Sequence, residues 1–259
     1  MRNDLTTRST TRTIWMALIV LGVSGCGGSD DSADDVPPIT DDRNPSPSAT
    51  NTVVPRFYRP FQGVYPVLNL FDHDRPLGPA AQTGGYQLTW RGERAFPDAH
   101  GVGYDSHTGI DWIMPEGTPL LAMADGLVLF AGETAPAYCV LEDRITTTLR
   151  VVIRHLVAGE ETFSSVYVHM NRVDVAVGDQ VTAGQQVGLS GATGCVGLGN
   201  IPHLHMEVYR VANTNNGQPT LIDPYGWQGS AVDPWAQDPN GAASVWLWRP
   251  GEAPSLSLR

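Results

Sequence analysis

Hydrophobic and polar positions alternate in short runs over most of the chain, and no convincing long helix interrupts them. From about residue 55 onward, runs rich in Val, Ile, Leu, Thr and Tyr are separated by Gly, Pro, Asn and Asp. This punctuation is typical of antiparallel all-β domains. The strands that it predicts lie at 86–90, 107–112, 119–131, 147–155, 162–169, 185–190 and 203–211.

Two segments of this β-rich region are similar to each other. The segment 117–122 leads into 125–128, and the segment 178–183 leads into 185–188. Each reads as a turn, a strand, a second turn and a further strand, which predicts two related β-motifs packed into one sandwich. The alternative is that a Gly-rich β-protein repeats such phrases by chance.

The N-terminal residues follow a different pattern. Three Arg precede an apolar stretch from Ile14 to Val23, and small residues follow it, as in a secretory signal peptide. The ending Val23-Ser24-Gly25-Cys26 resembles the bacterial lipobox, so we expect residues 1–25 to be removed and Cys26 to carry lipid. The chain would then be anchored to a membrane of the cell envelope and face the periplasm or the exterior. The alternative is ordinary secretion with a free Cys26 thiol.

The segment after Cys26 is acidic and poor in large apolar residues. Residues 27–54 contain six Asp and one Arg, and such a segment cannot bury enough surface to offset chain entropy. We therefore expect 26–54 to be a lipidated, disordered tether that reaches about 30 Å. A β-sandwich domain follows at 55–222, with its core at 103–211. We expect the Trp-, Pro- and Gly-rich extension at 223–259 to pack on this domain, either wrapping the sandwich or lining a groove.

The net charge and the cysteine content limit the classes of binding partner and the cellular compartment that we expect for this protein. The formal net charge is -11 and no cluster of basic residues occurs, which excludes nucleic acid as a partner. If Cys26 carries lipid, Cys139 and Cys195 remain as a possible disulfide in an oxidising envelope compartment. The alternative is that they are two separate small buried residues.

The candidate metal-binding and catalytic residues lie in three short histidine-containing sequence motifs. His107 and Asp111 are flanked by Gly and β-branched residues, which favours a loop followed by a strand with both side chains reaching one point. Imidazole and carboxylate are both zinc ligands. His203 and His205 alternate with apolar residues, so they lie on one face of a strand, about 6.6 Å apart. One of them can bind a metal while the other faces water or substrate, and His169 ends a third alternating run.

Together these motifs resemble those of the lysostaphin-like (LytM-type) family of zinc metalloendopeptidases. The resemblance runs from about Gly103 to Val208, through 107–111, 115–119, 124–126, 167–169, 178–181, 190–194 and 202–205. It implies an antiparallel β-sandwich of the duplicated hybrid motif type, one catalytic Zn²⁺ per chain and a peptidoglycan substrate. The function that it implies is hydrolysis of stem or cross-bridge peptides in cell-wall remodelling.

Carried over position by position, the resemblance implies three zinc ligands, His107, Asp111 and His205, and a catalytic pair, His169 and His203. Three protein ligands leave a fourth position for water, whose pKa falls on the metal. One non-ligand His can take the proton of that water while the other hydrogen-bonds the carbonyl oxygen. A longer stretch at 195–201 and an insertion at 139–148 depart from the family pattern, and both are expected beside the substrate groove.

The remaining histidines are not expected in the metal site. His155 is expected to be structural, and His73 and His100 to be solvated or locally hydrogen-bonded. Two rival functions stay open: a non-catalytic relative that binds the wall and activates another wall hydrolase, and a lipid-anchored binding module. Covalent attachment of lipoyl or biotinyl groups is excluded, because all 16 basic residues are Arg and such carriers need a Lys.

Overall fold

The computed structural model of the protein describes residues 56–74, 76–77, 86–95, 106–139, 141–155, 162–197, 199–211 and 219–257. The predicted signal peptide, Cys26, the acidic tether and His100 lie outside these residues. Within the described ranges, no helix is long and apolar enough to cross a membrane.

The described part of the chain consists of fifteen short strands and one short helix. In chain order they are β1 (Val67–Asn69), β2 (Gln87–Leu88), β3 (Arg94–Ala95), β4 (Ile110–Ile113), β5 (Pro119–Leu121), β6 (Gly126–Glu133), β7 (Ala137–Cys139), β8 (Arg144–Thr146), β9 (Leu149–His155), β10 (Thr162–Val168), β11 (Arg172–Val173), β12 (Gln180–Val181), β13 (Gln186–Leu189), β14 (His203–Val211), β15 (Thr220–Ile222) and α1 (Pro234–Gln237).

Most strands belong to one large antiparallel sheet. Its order is β1-β4-β14-β10-β9-β6-β12, and β15 extends the β4 side by pairing with the second half of β14. A smaller sheet, β11-β13-β5, packs against it across a shared core that contains Leu120, Val187 and Tyr167. The Tyr167 hydroxyl connects the two sheets, since it donates to the Leu121 carbonyl at 2.8 Å. This architecture confirms the predicted antiparallel all-β class.

The two similar segments pair with each other reciprocally. Strand β5 of the first segment pairs with β13 of the second, and β12 of the second pairs with β6 of the first. The predicted strand at 119–131 is therefore two strands, β5 and β6, because the chain bends between them at 123–125 and each half enters a different sheet. The exchange of partners joins the two β-motifs into one domain.

The C-terminal residues pack onto the start of the described domain. The backbone amides of Arg56 and Phe57 donate to the Leu247 carbonyl at 2.7 and 2.8 Å. Trp246 and Trp248 are buried in the main hydrophobic core, where Trp248 meets the Phe57 ring at 6.0 Å. The residues after the sandwich thus contribute directly to its core.

His73 is fully buried between two carboxylates of the C-terminal part of the chain. Its Nδ1 lies 3.0 Å from Asp233 Oδ1, and its Nε2 lies 3.1 Å from Asp223 Oδ2. The prediction of a solvated or local role for His73 is therefore wrong, because both partners lie at least 150 residues further along the chain. Burial lowers the pKa of His73, but the two carboxylates outweigh burial and raise this pKa to about 9.

This cluster makes the stability of the fold pH-dependent. Because the folded protein holds the His73 proton more tightly than the unfolded chain, the added stability is present below pH 6.5 and is lost as the pH rises through about 9. We expect the free energy of unfolding to fall by about 3 kcal/mol across this window. Urea titrations at pH 6 and pH 10 measure it, and His73→Gln should remove most of the difference. Equal pH dependence in both proteins would contradict the assignment.

Candidate active site

Strand β14 divides its side chains between the core and the site. Leu204, Met206 and Val208 point into the core and are at most 1% exposed. Since side chains alternate along a strand, His203, His205 and Glu207 share the opposite face. His203, His205 and Glu207 thus form one row of side chains along β14.

Strand β4 and the loop before it place Asp111 and His107 beside this row of side chains. Asp111 pairs with His205 in the antiparallel register, and His107 lies in the loop that leads into β4. Gly109, between the two, passes so close to β14 that a Cβ there would lie 2.3 Å from the Met206 carbonyl oxygen. Glycine is therefore needed for the loop to approach β14, and this approach brings His107 to Asp111 and His205.

Strand β10 delivers His169 from the other side of β14. Val168, the last residue of β10, pairs with His205, and His169 follows immediately. His169 has a φ of 62°, and Ser106, which precedes His107, has a φ of 72°. Non-glycine residues rarely adopt this left-handed conformation, so surrounding packing must hold these two loops. One of these positions is His169 itself, directly after β10, and the other directly precedes His107 in the loop before β4.

Three donor atoms converge at the centre of the site. The Asp111 carboxylate lies 3.1 Å from His107 Nε2, through Oδ2, and 2.7 Å from His205 Nδ1, through Oδ1. The two nitrogens lie 3.1 Å apart. Tetrahedral zinc with bonds of about 2.0–2.1 Å places its ligand atoms about 3.3 Å apart. Two imidazole nitrogens and a carboxylate group at these separations fit a zinc ion.

Two residues outside the cluster orient the side chains of His107 and Asp111. The Leu70 carbonyl lies 2.9 Å from His107 Nδ1 and accepts a hydrogen bond from it, so Nε2 is the ring nitrogen that faces Asp111 and His205. Asn69 Nδ2 donates to Asp111 Oδ2 at 2.8 Å. Both residues belong to or adjoin β1, which pairs with β4. Such outer contacts fix the orientation of metal ligands.

The electrostatics of the cluster favour a positive charge. Burial opposes ionisation of Asp111, but the neighbouring His107, His203 and His205 outweigh it and hold the Asp111 pKa well below its usual range. Burial likewise lowers the pKa of His205, and the Asp111 and Glu207 carboxylates outweigh it and raise this pKa to about 10. The Asp111 and Glu207 carboxylates therefore favour positive charge on the His205 ring between them.

His169 and His203 lie together beside the cluster. Their ring centroids are 4.7 Å apart, and His203 Nε2 lies 3.8 Å from Asp111 Oδ1. Each Nδ1 lies within hydrogen-bond distance of a backbone carbonyl, Thr193 for His169 at 2.7 Å and Ile201 for His203 at 2.8 Å. These bonds leave each Nε2 available. Burial, followed by the charges of His203 and His205, lowers the pKa of His169 to about 3, so its ring is neutral at neutral pH.

His155 lies apart from these residues. It is fully buried, with Nδ1 3.1 Å from the Asp125 carbonyl and Nε2 2.8 Å from Ser165 Oγ. Burial lowers the pKa of His155 to about 4, which keeps its ring neutral. Its contacts are those of a core residue that connects β9 and β10.

A disulfide constrains the loop that contains Thr193, whose carbonyl is the hydrogen-bond partner of His169. Cys139 of β7 is bonded to Cys195, and the β7–β8 hairpin makes further contacts with the loop around Cys195. Glu142 accepts hydrogen bonds from the backbone amides of 196 and 197 at 3.0 and 3.1 Å, and Arg144 donates to the Gly194 carbonyl at 3.1 Å. The sequence indicated an insertion here. It did not reveal that the insertion holds the segment that carries the Thr193 carbonyl.

We expect removal of this disulfide to weaken both the fold and the site. The bond connects residues 56 positions apart, so replacing both cysteines by Ser should cost about 4 kcal/mol of unfolding free energy. Urea denaturation of the double variant measures this loss. Because the loop also orients His169, activity per folded molecule should fall as well. Unchanged activity in the folded fraction would mean that Glu142 and Arg144 hold the loop without the disulfide.

The sequence profile of peptidase family M23 matches residues 105–224, which include all five site residues. This region is an M23 peptidase domain. The match begins just before His107 and ends at the start of the Trp-rich C-terminal segment, so it covers the strands that build the site. It agrees with the family resemblance drawn from the sequence phrases.

Two curated proteins and one solved structure illustrate the similarity of the M23 domain. The chain is 33% identical over 131 residues to glycyl-glycine endopeptidase ALE-1 of Staphylococcus capitis, which covers 51% of this chain and 31% of that protein. It is 35% identical over 102 residues to peptidoglycan DD-endopeptidase ShyA of Vibrio cholerae, covering 39% and 20%. The matched stretches thus span less than a third of either relative. The catalytic domain of lysostaphin from Staphylococcus simulans is 27% identical, covers 49% of this chain and 81% of that domain, and has a TM-score of 0.34.

Proposed function

We propose that this protein is a zinc-dependent endopeptidase that hydrolyses peptide bonds in peptidoglycan. The observation that carries the proposal is the convergence of His107, Asp111 and His205, whose ligand atoms all lie within 4.8 Å of one another, beside the His169–His203 pair. Two nitrogens and one oxygen are a ligand set that zinc prefers, with one position left for water or substrate. We infer one Zn²⁺ per chain at this cluster.

The roles of the protein groups follow from their hydrogen bonds. Bound zinc would supply a Lewis acid that polarises a carbonyl and lowers the pKa of a bound water to about 7. His169 and His203 each direct Nδ1 to a backbone carbonyl, so their Nε2 atoms face the reacting groups. One of the pair takes a proton from the attacking water and later returns it to the leaving amine. The other, with both ring nitrogens protonated, donates a hydrogen bond from Nε2 to the carbonyl oxygen as negative charge develops.

The choice of peptidoglycan as substrate is supported by the relatives of the M23 domain. ALE-1 is named a glycyl-glycine endopeptidase and ShyA a peptidoglycan DD-endopeptidase. The two names denote different peptide bonds, so the common element is a peptide of the cell wall. We propose that the loops around the site, including the disulfide-bonded β7–β8 hairpin, select the bond.

We also propose that the enzyme works in the cell envelope, held to a membrane by lipid on Cys26. The lipobox-like ending at Cys26 supports the anchor, and the Cys139–Cys195 disulfide is consistent with an oxidising compartment. Labelling of cells with a palmitate analogue tests the anchor. Incorporation should occur in the full chain and disappear in Cys26→Ala.

Digestion of purified walls tests the activity and the bond choice together. The full chain, quantified for bound zinc, is incubated with peptidoglycan of several cross-link chemistries, and the released fragments are analysed by mass spectrometry. We expect new amino and carboxyl termini at one type of peptide bond, with loss of activity on chelation and recovery on addition of zinc. A protein that binds zinc but releases no fragments from any wall would instead support a non-catalytic activator of another hydrolase.

A further inference from the structure

Glu207 is a buried carboxylate in the same row as His203 and His205. It lies two residues beyond His205 on β14, and the alternation of the strand puts both side chains on one face. Its exposed fraction is only 8%. A buried carboxylate is costly unless charged or hydrogen-bonding partners satisfy it, so its contacts indicate why it is there.

Both carboxylate oxygens of Glu207 have partners. Oε1 lies 3.3 Å from His205 Nε2 and accepts a hydrogen bond from Thr108 Oγ1 at 2.7 Å. Oε2 accepts a hydrogen bond from the Tyr209 hydroxyl at 3.0 Å. Thr108 directly follows His107, and Tyr209 is the next residue of the row. These contacts hold the carboxylate against the side of the His205 ring that faces away from Asp111.

The opposite nitrogen of His205 belongs to the donor cluster. His205 Nδ1 lies 2.7 Å from Asp111 Oδ1 and 3.1 Å from His107 Nε2. A metal bound at the cluster would take the Nδ1 lone pair, and the single proton of the neutral ring would then lie on Nε2, where the Glu207 carboxylate can accept it. The other three site histidines direct a ring nitrogen to a backbone carbonyl, of Leu70, Thr193 or Ile201. His205 thus has a charged partner where the others have a neutral one.

We propose that Glu207 is a positioning residue that fixes the tautomer and orientation of His205 and strengthens its bond to the metal. This inference rests on the proposed function, since it requires a metal at His205. A carboxylate that accepts the outer N–H of a ligating imidazole raises the basicity of that ligand, and loss of such a partner typically reduces metal affinity by about 10–100-fold. Thr108 and Tyr209 in turn hold Glu207 in place.

The test is zinc affinity of the full chain, measured by competition with a chromogenic chelator. Glu207→Gln keeps the shape of the side chain and an oxygen that can accept from His205 and Thr108, removes the charge, and places an amide NH2 beside the Tyr209 hydroxyl, which can accept from it. We expect its zinc dissociation constant to rise by about 10–100-fold. Glu133→Gln, the same chemical change at the exposed end of β6, is the matched control and should bind zinc like the wild type.

The outcomes separate this inference from the proposed function. A wild type that binds no zinc would overturn the proposed function itself. A wild type that binds zinc while Glu207→Gln binds it within twofold as tightly would overturn the role of Glu207 alone. If Glu207→Gln does not fold, Thr108→Val removes the hydroxyl that holds Glu207 and should weaken zinc binding by about threefold or more. Wild-type affinity in Thr108→Val would then count against the proposal.

Discussion

His107→Ala is expected to lose both bound zinc and hydrolytic activity. The substitution removes one of three nitrogen and oxygen donors and leaves His205 and Asp111 as the remaining ligands. A metal that polarises a substrate and activates water contributes several kcal/mol to transition-state stabilisation, and 1.36 kcal/mol corresponds to a tenfold change in rate. We therefore expect activity to fall by at least about 10³-fold. Zinc content by elemental analysis and wall digestion measure the two losses.

The design must separate loss of metal from loss of fold. His107 is buried, so far-UV circular dichroism and the urea midpoint of the variant should be compared with those of the chelated wild type. The two metal-free proteins should agree closely. A His107→Ala protein that retains one zinc per chain and digests walls at the wild-type rate would remove His107 from the ligand set and end the proposed assignment.

His169→Ala is expected to keep its zinc and lose its activity. Its ring lies 5.9 Å from that of His205, and its Nδ1 faces the Thr193 carbonyl, so it contributes no atom to the donor cluster. Loss of a residue that transfers a proton or stabilises the developing charge typically costs about 10²–10⁴-fold in rate. Turnover of a synthetic cell-wall peptide, measured together with zinc content, tests this expectation.

The same substitution at His203 provides the matched comparison. His203 lies 4.7 Å from His169, and its Nδ1 is held by the Ile201 carbonyl in the same way. We expect His203→Ala to retain zinc and to lose activity by a similar factor. Because the two residues act in one step, the double variant should be little worse than either single variant. Wild-type turnover in His169→Ala would contradict its catalytic role, whatever the result at His203.

Part of the site could be predicted from local pattern alone. The alternation around His203 and His205 requires a strand with both imidazoles on one face, and the structure has this strand as β14. The Gly-containing spacing of His107 and Asp111 indicated a loop followed by a strand, which is β4 with its preceding loop. The roles of these residues came from the family resemblance and remain predictions. The strands that the pattern did not predict, such as β1 and β11, have only two or three residues, which is too short for alternation to be visible.

Other features depended on contacts between distant parts of the chain. Nothing near His73 in the sequence indicates that Asp223 and Asp233 bury it, because its partners lie 150 and 160 residues away. Local pattern also cannot tell which ring nitrogen of a histidine faces the site. His205 presents Nδ1 whereas His107 presents Nε2, and the choice follows from the outer partners Glu207 and Leu70.

The sequence by itself determined the all-β class, the strand that carries His203 and His205, and the candidate residues for metal binding and catalysis. Only the tertiary structure decided the Cys139–Cys195 bond, the burial of His73 between Asp223 and Asp233, and the contact of Glu207 with His205 Nε2. The physical reason is that side-chain alternation is a property of neighbouring residues. Burial, tautomer and disulfide pairing depend on which remote segments the folded chain brings into contact.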